Sequence, residues 1–274
     1  MTEQETQDPW WGEVELELGE TARWEIGPMR LWLHRGSAEW RLAHDWVDAD
    51  GAMGSELFRA AEWPTEGVRC ERFAVTETGP VVQLRPLPAD RPLVVRPRTP
   101  FHVLPGQQSR VFMSAPLWLE TRIGSGGLAL REIPTKRLSD TWFGATTRSG
   151  ELCYALKTNA RTDLEELPRA SYRLVTPVVI ENRGMDSLLV ERLNLPAPFL
   201  SVYGSAEGEA WSEEVRMLWD EDGGMAELDL RPGPPPEAHG AARLTEPRRI
   251  ARKGHLFRAF GSLLGIDFWE NDDG

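Results

Sequence analysis

Apolar and polar residues alternate early in this chain. Val14, Leu16 and Leu18 are apolar while Glu13, Glu15 and Glu17 are charged, the period-two pattern of a strand with one wet face. After a turn at Gly19-Glu20, the pattern predicts strands over 21–26 and 30–34, split by Gly27-Pro28. A strand over 39–47 follows and ends at the strong turn Asp48-Ala49-Asp50-Gly51. Residues 55–61 read as one or two turns of helix, stopped before Pro64. Strands are expected over 69–75, 81–84 and 93–95, the last hemmed by prolines. Thr99-Pro100 and Leu104-Pro105-Gly106-Gln107 mark a corner.

The second half repeats the style. Residues 110–123 read as strand broken at Pro116, and Ser125-Gly126-Gly127 as a turn. Further strands are expected over 128–133, 140–145, 152–157, 171–181, 188–193, 199–203, 211–219 and 225–230. Short strands at steady spacing predict an all-β fold of two sandwich-like units, 10–105 and 106–231. The prolines of 232–236 then read as a stiff linker, and 1–9 as a disordered acidic leader.

The C-terminal segment has a different rhythm. Residues 247–266 hold no acid but carry Arg248, Arg249, Arg252, Lys253 and Arg258. At about 100° per residue, Leu256, Phe257, Phe260, Leu263 and Leu264 fall on one arc, joined by Ile250. This predicts a basic amphipathic helix within 232–274. Gly254 and Gly261 weaken it by roughly 1 kcal/mol each relative to alanine. Such a helix forms only when its apolar face is covered: by the protein's own β core, by a partner protein, or by an anionic membrane surface. The partner-binding candidates are Arg252, Leu256, Phe257, Phe260 and Leu264.

Composition narrows the function. The formal charge of −12 argues against nucleic acid as the main partner. Lysine occurs only at 136, 157 and 253, so 28 of the 31 basic residues are arginine, which coding bias explains. Cys70 and Cys153 read as free, buried thiols in a reducing cytoplasm. The polar first residues do not resemble a secretion signal, and no apolar run reaches the ~20 residues of a membrane span. A cytoplasmic protein is expected, with membrane association left open. An edge strand such as 14–18 leaves a dimer open.

No catalytic constellation stands out, and no cofactor or metal is predicted. Gly124-Ser125-Gly126-Gly127 lacks the lysine and helix of a phosphate loop. The turn acids at 45–51 and 220–223 fail the calcium-loop register. His34, His44, His102, His239 and His255 show no paired metal spacing, although His34 and His44 could approach each other across a hairpin. Ser139 and Cys153 can be named as nucleophiles, but neither sits in a nucleophile elbow. The 12 tryptophans suit core packing or, if exposed, sugar stacking. Trp10, Trp24, Trp32, Trp40 and Trp46 sit where a buried face is expected. Lys136, Arg137, Ser139, Asp140 and Trp142 combine cations, a hydroxyl, a carboxylate and an aromatic ring within a few residues, either as a polar loop feeding a strand or as a site for an anion or a partner loop.

The second half resembles domain-of-unknown-function family 432, found in archaea and bacteria. Val111-Phe112-Met113-Ser114-Ala115-Pro116, Leu152-Cys153-Tyr154-Ala155-Leu156, Pro177-Val178-Val179-Ile180-Glu181-Asn182 and Val190-Glu191-Arg192 carry the likeness, over roughly 110–230. The resemblance implies no activity and no catalytic residue. Its gene neighbourhoods, which include mechanosensitive channels, imply a membrane-proximal partner. The leading expectation is a non-enzymatic binding or adaptor protein docking a protein partner or membrane edge through its tail. A β module binding carbohydrate or another small ligand, and a hydrolase whose site assembles only in three dimensions, stand beside it.

Overall fold

The computed structural model describes residues 9–47, 54–124, 126–146, 148–156, 160–220, 225–252 and 254–261. Nearly all regular structure is strand. In chain order these are β1 (Gly12–Glu15), β2 (Thr21–Ile26), β3 (Met29–Arg35), β4 (Glu39–Trp46), β5 (Ser55–Phe58), β6 (Arg69–Ala74), β7 (Val81–Leu87), β8 (Leu93–Val95) and β9 (Phe101–Val103). The chain continues with β10 (Gln108–Pro116), β11 (Trp118–Ile123), β12 (Leu128–Pro134), β13 (Ser139–Thr146), β14 (Ser149–Ala155), β15 (Ala160–Arg161) and β16 (Arg173–Asn182). It ends with β17 (Leu188–Val190), β18 (Arg192–Leu195), β19 (Val202–Gly204), β20 (Ala210–Trp211), β21 (Val215–Trp219), β22 (Met225–Leu230), β23 (Ala242–Thr245), β24 (His255–Arg258) and β25 (Phe260–Gly261). The helical content described is two short 3-10 turns, Ala197–Phe199 and Pro236–Ala238.

The N-terminal strands form a meander in the order β5-β2-β3-β4-β6. Every pairing is antiparallel. Trp24 and Ile26 on β2, Leu31 and Leu33 on β3, and Trp40 and Leu42 on β4 are buried, as alternation requires. Gly27 turns β2 into β3 at φ 55°, and a Cβ there would lie 2.2 Å from the Tyr172 ring. Only glycine fits this turn, because the meander packs its tip directly on the residue preceding β16. Residues 55–58, expected as helix, instead pair with β2 as an edge strand. A four-residue stretch has too little length to set its own period, and the open edge of β2 decides the outcome.

The second sheet, β1-β7-β11-β12, joins strands from both sides of residue 105 through the β7–β11 pairing. A nine-stranded sheet runs β23-β19-β20-β16-β21-β22-β24, with β10 also paired to β16 and β15 to β10. Here β16 pairs in parallel with β20 and β21 and antiparallel with β10. A fourth sheet has the order β13-β14-β8-β18-β25, and β9 pairs β17. One main core draws on residues from Trp10 to Phe260.

The expected C-terminal helix is not seen. Residues 255–261 are strand: β24 extends the nine-stranded sheet on β22, and β25 pairs β18. Leu264, like the turn acids at 48–51 and 221–223, lies outside the described residues. Gly254, at φ 73°, turns the chain into β24. The apolar residues are then read with a strand's geometry, so Phe257 and Ala259 are buried while Leu256, next to Phe257 on the opposite face, is 63% exposed.

Candidate functional site

Phe257 and Phe260 belong to the main core at 8% and 4% exposure, so neither is free to dock anything. Arg252 and Leu256 remain at the surface, on and just before the outer strand of the nine-stranded sheet. Of the three coverings considered for the tail, its own β core takes these two phenylalanines.

The residues of 136–142 do not converge. Lys136 and Ser139 are exposed. Arg137 lies over the Trp46 ring at 4.6 Å, and Trp46 Nε1 donates to Pro134 O at 2.9 Å, tying the segment to the meander. Asp140 pairs with Arg91 at 3.2 Å. Trp142 is 44% exposed, stands opposite Leu152, and donates from Nε1 to Thr146 O at 2.9 Å. Four of the five tryptophans expected in the core, Trp10, Trp24, Trp32 and Trp40, are buried, and Trp46 is half-buried.

His34 and His44 do not meet: the register sets His34 opposite Arg41 and His44 opposite Leu31. Burial lowers the pKa of each. Cys70 is exposed, contrary to expectation, while Cys153 is buried. Burial, with Glu151 nearby, pushes the Cys153 thiol up to about 12, so it stays protonated and inert near neutral pH. Two other buried ionisable groups serve the fold. Arg173 donates to the side chain and backbone of Ser114. Glu213, its pKa raised by burial, accepts from Ser201 N at 2.8 Å and Ser201 Oγ at 3.1 Å.

The place where groups do converge is one no motif marked. A half-open cavity of about 290 Å³ lies between the connection 97–101 and residues 160–166. Pro97, Pro100, Phe101, Val111 and Ala160 form its apolar wall, and Arg98, Thr99, Arg161, Thr162 and Glu166 supply the polar atoms. That is the lower end of the size range of small-molecule sites, with their usual mix of apolar wall and a few polar groups. Backbone pairing builds it. Pro97 makes a parallel bridge to Ala160, with Arg98 N donating to Ala160 O at 3.3 Å and Ala160 N to Arg96 O at 3.4 Å. The bridge sets Arg98 beside Arg161.

One residue earlier the same chain meets β18. Val95 pairs Leu193 at the end of an antiparallel ladder, and Arg96 and Arg192 are the next residues along the two strands. Burial and the neighbouring charge of Arg96 lower the pKa of Arg192, whose guanidinium lies 5.2 Å over the Phe143 ring. Arg98 reaches Glu166 at only 3.5 Å, with both side chains more than half exposed, a weak pair. Arg96 makes no ion pair among the described residues. The signal available in sequence was the density of arginine at 85, 91, 96 and 98 in an acidic chain. The partners at 161 and 192 lie too far along the chain for any local pattern to join them.

Among the described residues no three His, Cys, Asp or Glu side chains cluster as metal ligands, and no helix is long and apolar enough to cross a membrane. Fold and site together define an all-β protein with a small cavity flanked by arginines. The chain belongs to the family described as "Protein of unknown function (DUF432)", whose profile matches residues 10–265. The match covers the meander and β24 as well as the second half, and so extends well beyond the 110–230 of the sequence resemblance. No curated protein and no solved structure gives a significant match.

Proposed function

We propose that this protein is a non-enzymatic binding protein of the cytoplasm whose ligand is a small molecule held in the cavity between 97–101 and 160–166. The observation that carries this reading is the cavity's make-up: an apolar wall, two hydroxyls and two guanidiniums fixed by backbone pairing. Its described lining includes no cysteine, serine, histidine or lysine, and its one carboxylate, Glu166, is paired with Arg98.

Thermal shift across a panel of neutral, anionic and sugar metabolites tests this reading. Thr162→Trp, on the exposed rim, should fill the cavity without touching the core. A ligand whose stabilisation disappears in Thr162→Trp, with the unliganded Tm unchanged, is the expected result. A panel in which no response depends on Thr162→Trp overturns the cavity as the site.

A second reading keeps the C-terminal segment as a docking surface for a protein partner or membrane edge. Leu256 on the outer strand β24, with Arg252 and Ile250 exposed before it, favours it. The contact would then be made by an open sheet edge, which offers unpaired backbone groups, rather than by a helix.

A further inference from the structure

We propose that the ligand of this cavity is a small zwitterion, an α-amino acid with an apolar side chain, held by its carboxylate on Arg98 and by its ammonium on Glu166; the inference rests on the cavity being a ligand site. The division of the lining carries it. The apolar part sits on regular structure. Phe101 is on β9, which pairs β17, and Val111 is on β10, opposite Val178 of β16. Val111 and Pro97 are buried, and Phe101 packs on the main core. The charged part sits at the rim. Arg98 comes from the connection 97–101 and Glu166 from the loop after β15, and both are exposed. They approach each other only to 3.5 Å, Nη1 to Oε2. A good charge-assisted hydrogen bond is shorter, roughly 2.7–2.9 Å. Arg161 is engaged with the wall itself, donating from Nη1 to Ala160 O at 2.9 Å.

The two rim charges select the ligand. A simple anion on Arg98 would stand against the Glu166 carboxylate, and a simple cation on Glu166 would stand against the Arg98 guanidinium. An uncharged ligand would gain from neither. A ligand with both signs on neighbouring atoms inserts into the pair and replaces one long contact with two short ones. The pair it displaces contributes little, because both side chains are well exposed. An α-amino acid carries carboxylate and ammonium on one carbon, which suits two rim groups already this close. The planar guanidinium presents a fork of N–H donors to the carboxylate oxygens, and the Glu166 carboxylate accepts from the ammonium. The amino acid's side chain then faces Pro97, Phe101 and Val111, while Thr99 and Thr162 supply hydroxyls to the same cavity. About 290 Å³ gives room for a molecule of this size and is small for a larger one.

Titration calorimetry of the full chain with L-leucine and L-phenylalanine tests this, beside their N-acetyl forms, which lack the cation, and their amides, which lack the carboxylate. At least one free amino acid is expected to bind, and its two blocked forms about tenfold or more weakly, since each loses a charge-assisted hydrogen bond. Arg98→Gln should weaken the free amino acid about tenfold and leave its amide unchanged. Glu166→Gln should weaken the free amino acid and leave its N-acetyl form unchanged or tighter. Both side chains are exposed, so neither variant should unsettle the fold. Neither amino acid binding, a blocked form binding as tightly as the free one, or binding unchanged in both variants overturns the zwitterion inference. In that case panel ligands lost in Thr162→Trp leave the cavity reading standing. If those are missing as well, both fall.

Discussion

The meander β5-β2-β3-β4-β6 and the junction of β8, β15 and β18 handle arginine in opposite ways. In the meander most guanidiniums have a carboxylate within reach, while Arg35 donates to the Leu16 and Thr78 carbonyls. Arg30 is bidentate to Asp45, Arg59 pairs with Glu20 at 2.6 Å, and Glu39 serves both Arg41 and Arg72. At the junction Arg98 lies beside Arg161 across the Pro97–Ala160 bridge, and Arg98 reaches Glu166 on a surface loop at 3.5 Å. Charge balanced internally serves the fold.

The largest effects should test whether the tail is part of the same body as the meander. Trp40 and Phe260 are both core residues, at 0% and 4% exposure. Trp40→Ala and Phe260→Ala should each cost about 3–5 kcal/mol in denaturant unfolding. A cost below about 1 kcal/mol at Phe260 would show that β25 is not anchored as described, and would return the segment to the role of a free docking element.

A middle-sized effect comes from pH. Burial holds the pKa of His44 below its ordinary value, and His44 Nδ1 has no hydrogen-bond partner. The folded state therefore binds this proton less readily than the unfolded chain. The associated stability is full above about pH 6.5, the unfolded value, and is lost as pH falls through the folded pKa. The protein should lose stability as pH falls below about 6.5, and His44→Leu should lose less over the same fall. His34 shifts in the same direction, so the slope should shrink rather than vanish. Equal slopes in the two proteins would mean that His44 titrates as freely folded as unfolded.

The smallest effect gives the sharpest contrast. Glu39→Gln should lower the Tm by leaving Arg41 and Arg72 unbridged. Without ligand, Arg96→Ser should be neutral or stabilising by a few tenths of a kcal/mol, because it removes a like-charge neighbour. The gap between the variants should narrow at high salt, where exposed charges are screened. If Arg96→Ser destabilises as Glu39→Gln does, Arg96 is a structural residue and the contrast fails.

Much of the fold was legible because strands in a meander report their own period. Trp24, Ile26, Leu31, Leu33, Trp40 and Leu42 alternate with polar neighbours, and glycine or proline marks most turns. Hairpin partners are adjacent in sequence, so pairing adds little that the pattern omits. Residues 55–58 and the tail were misread for a shared reason. A short apolar run fits a helical arc and a strand equally well, and the choice falls to whichever open edge is nearby. The edge of β2 captured β5, β22 captured β24, and β18 captured β25.

The sequence alone determined that this protein is all-β, acidic and rich in arginine and tryptophan, because composition and short-range alternation are local properties. The tertiary structure alone decided that Arg98 would lie beside Arg161 and that β8 would run beside β18. Register across strands dozens of residues apart is set by packing of the whole core, and a shift of one residue would send each of these side chains to the opposite face.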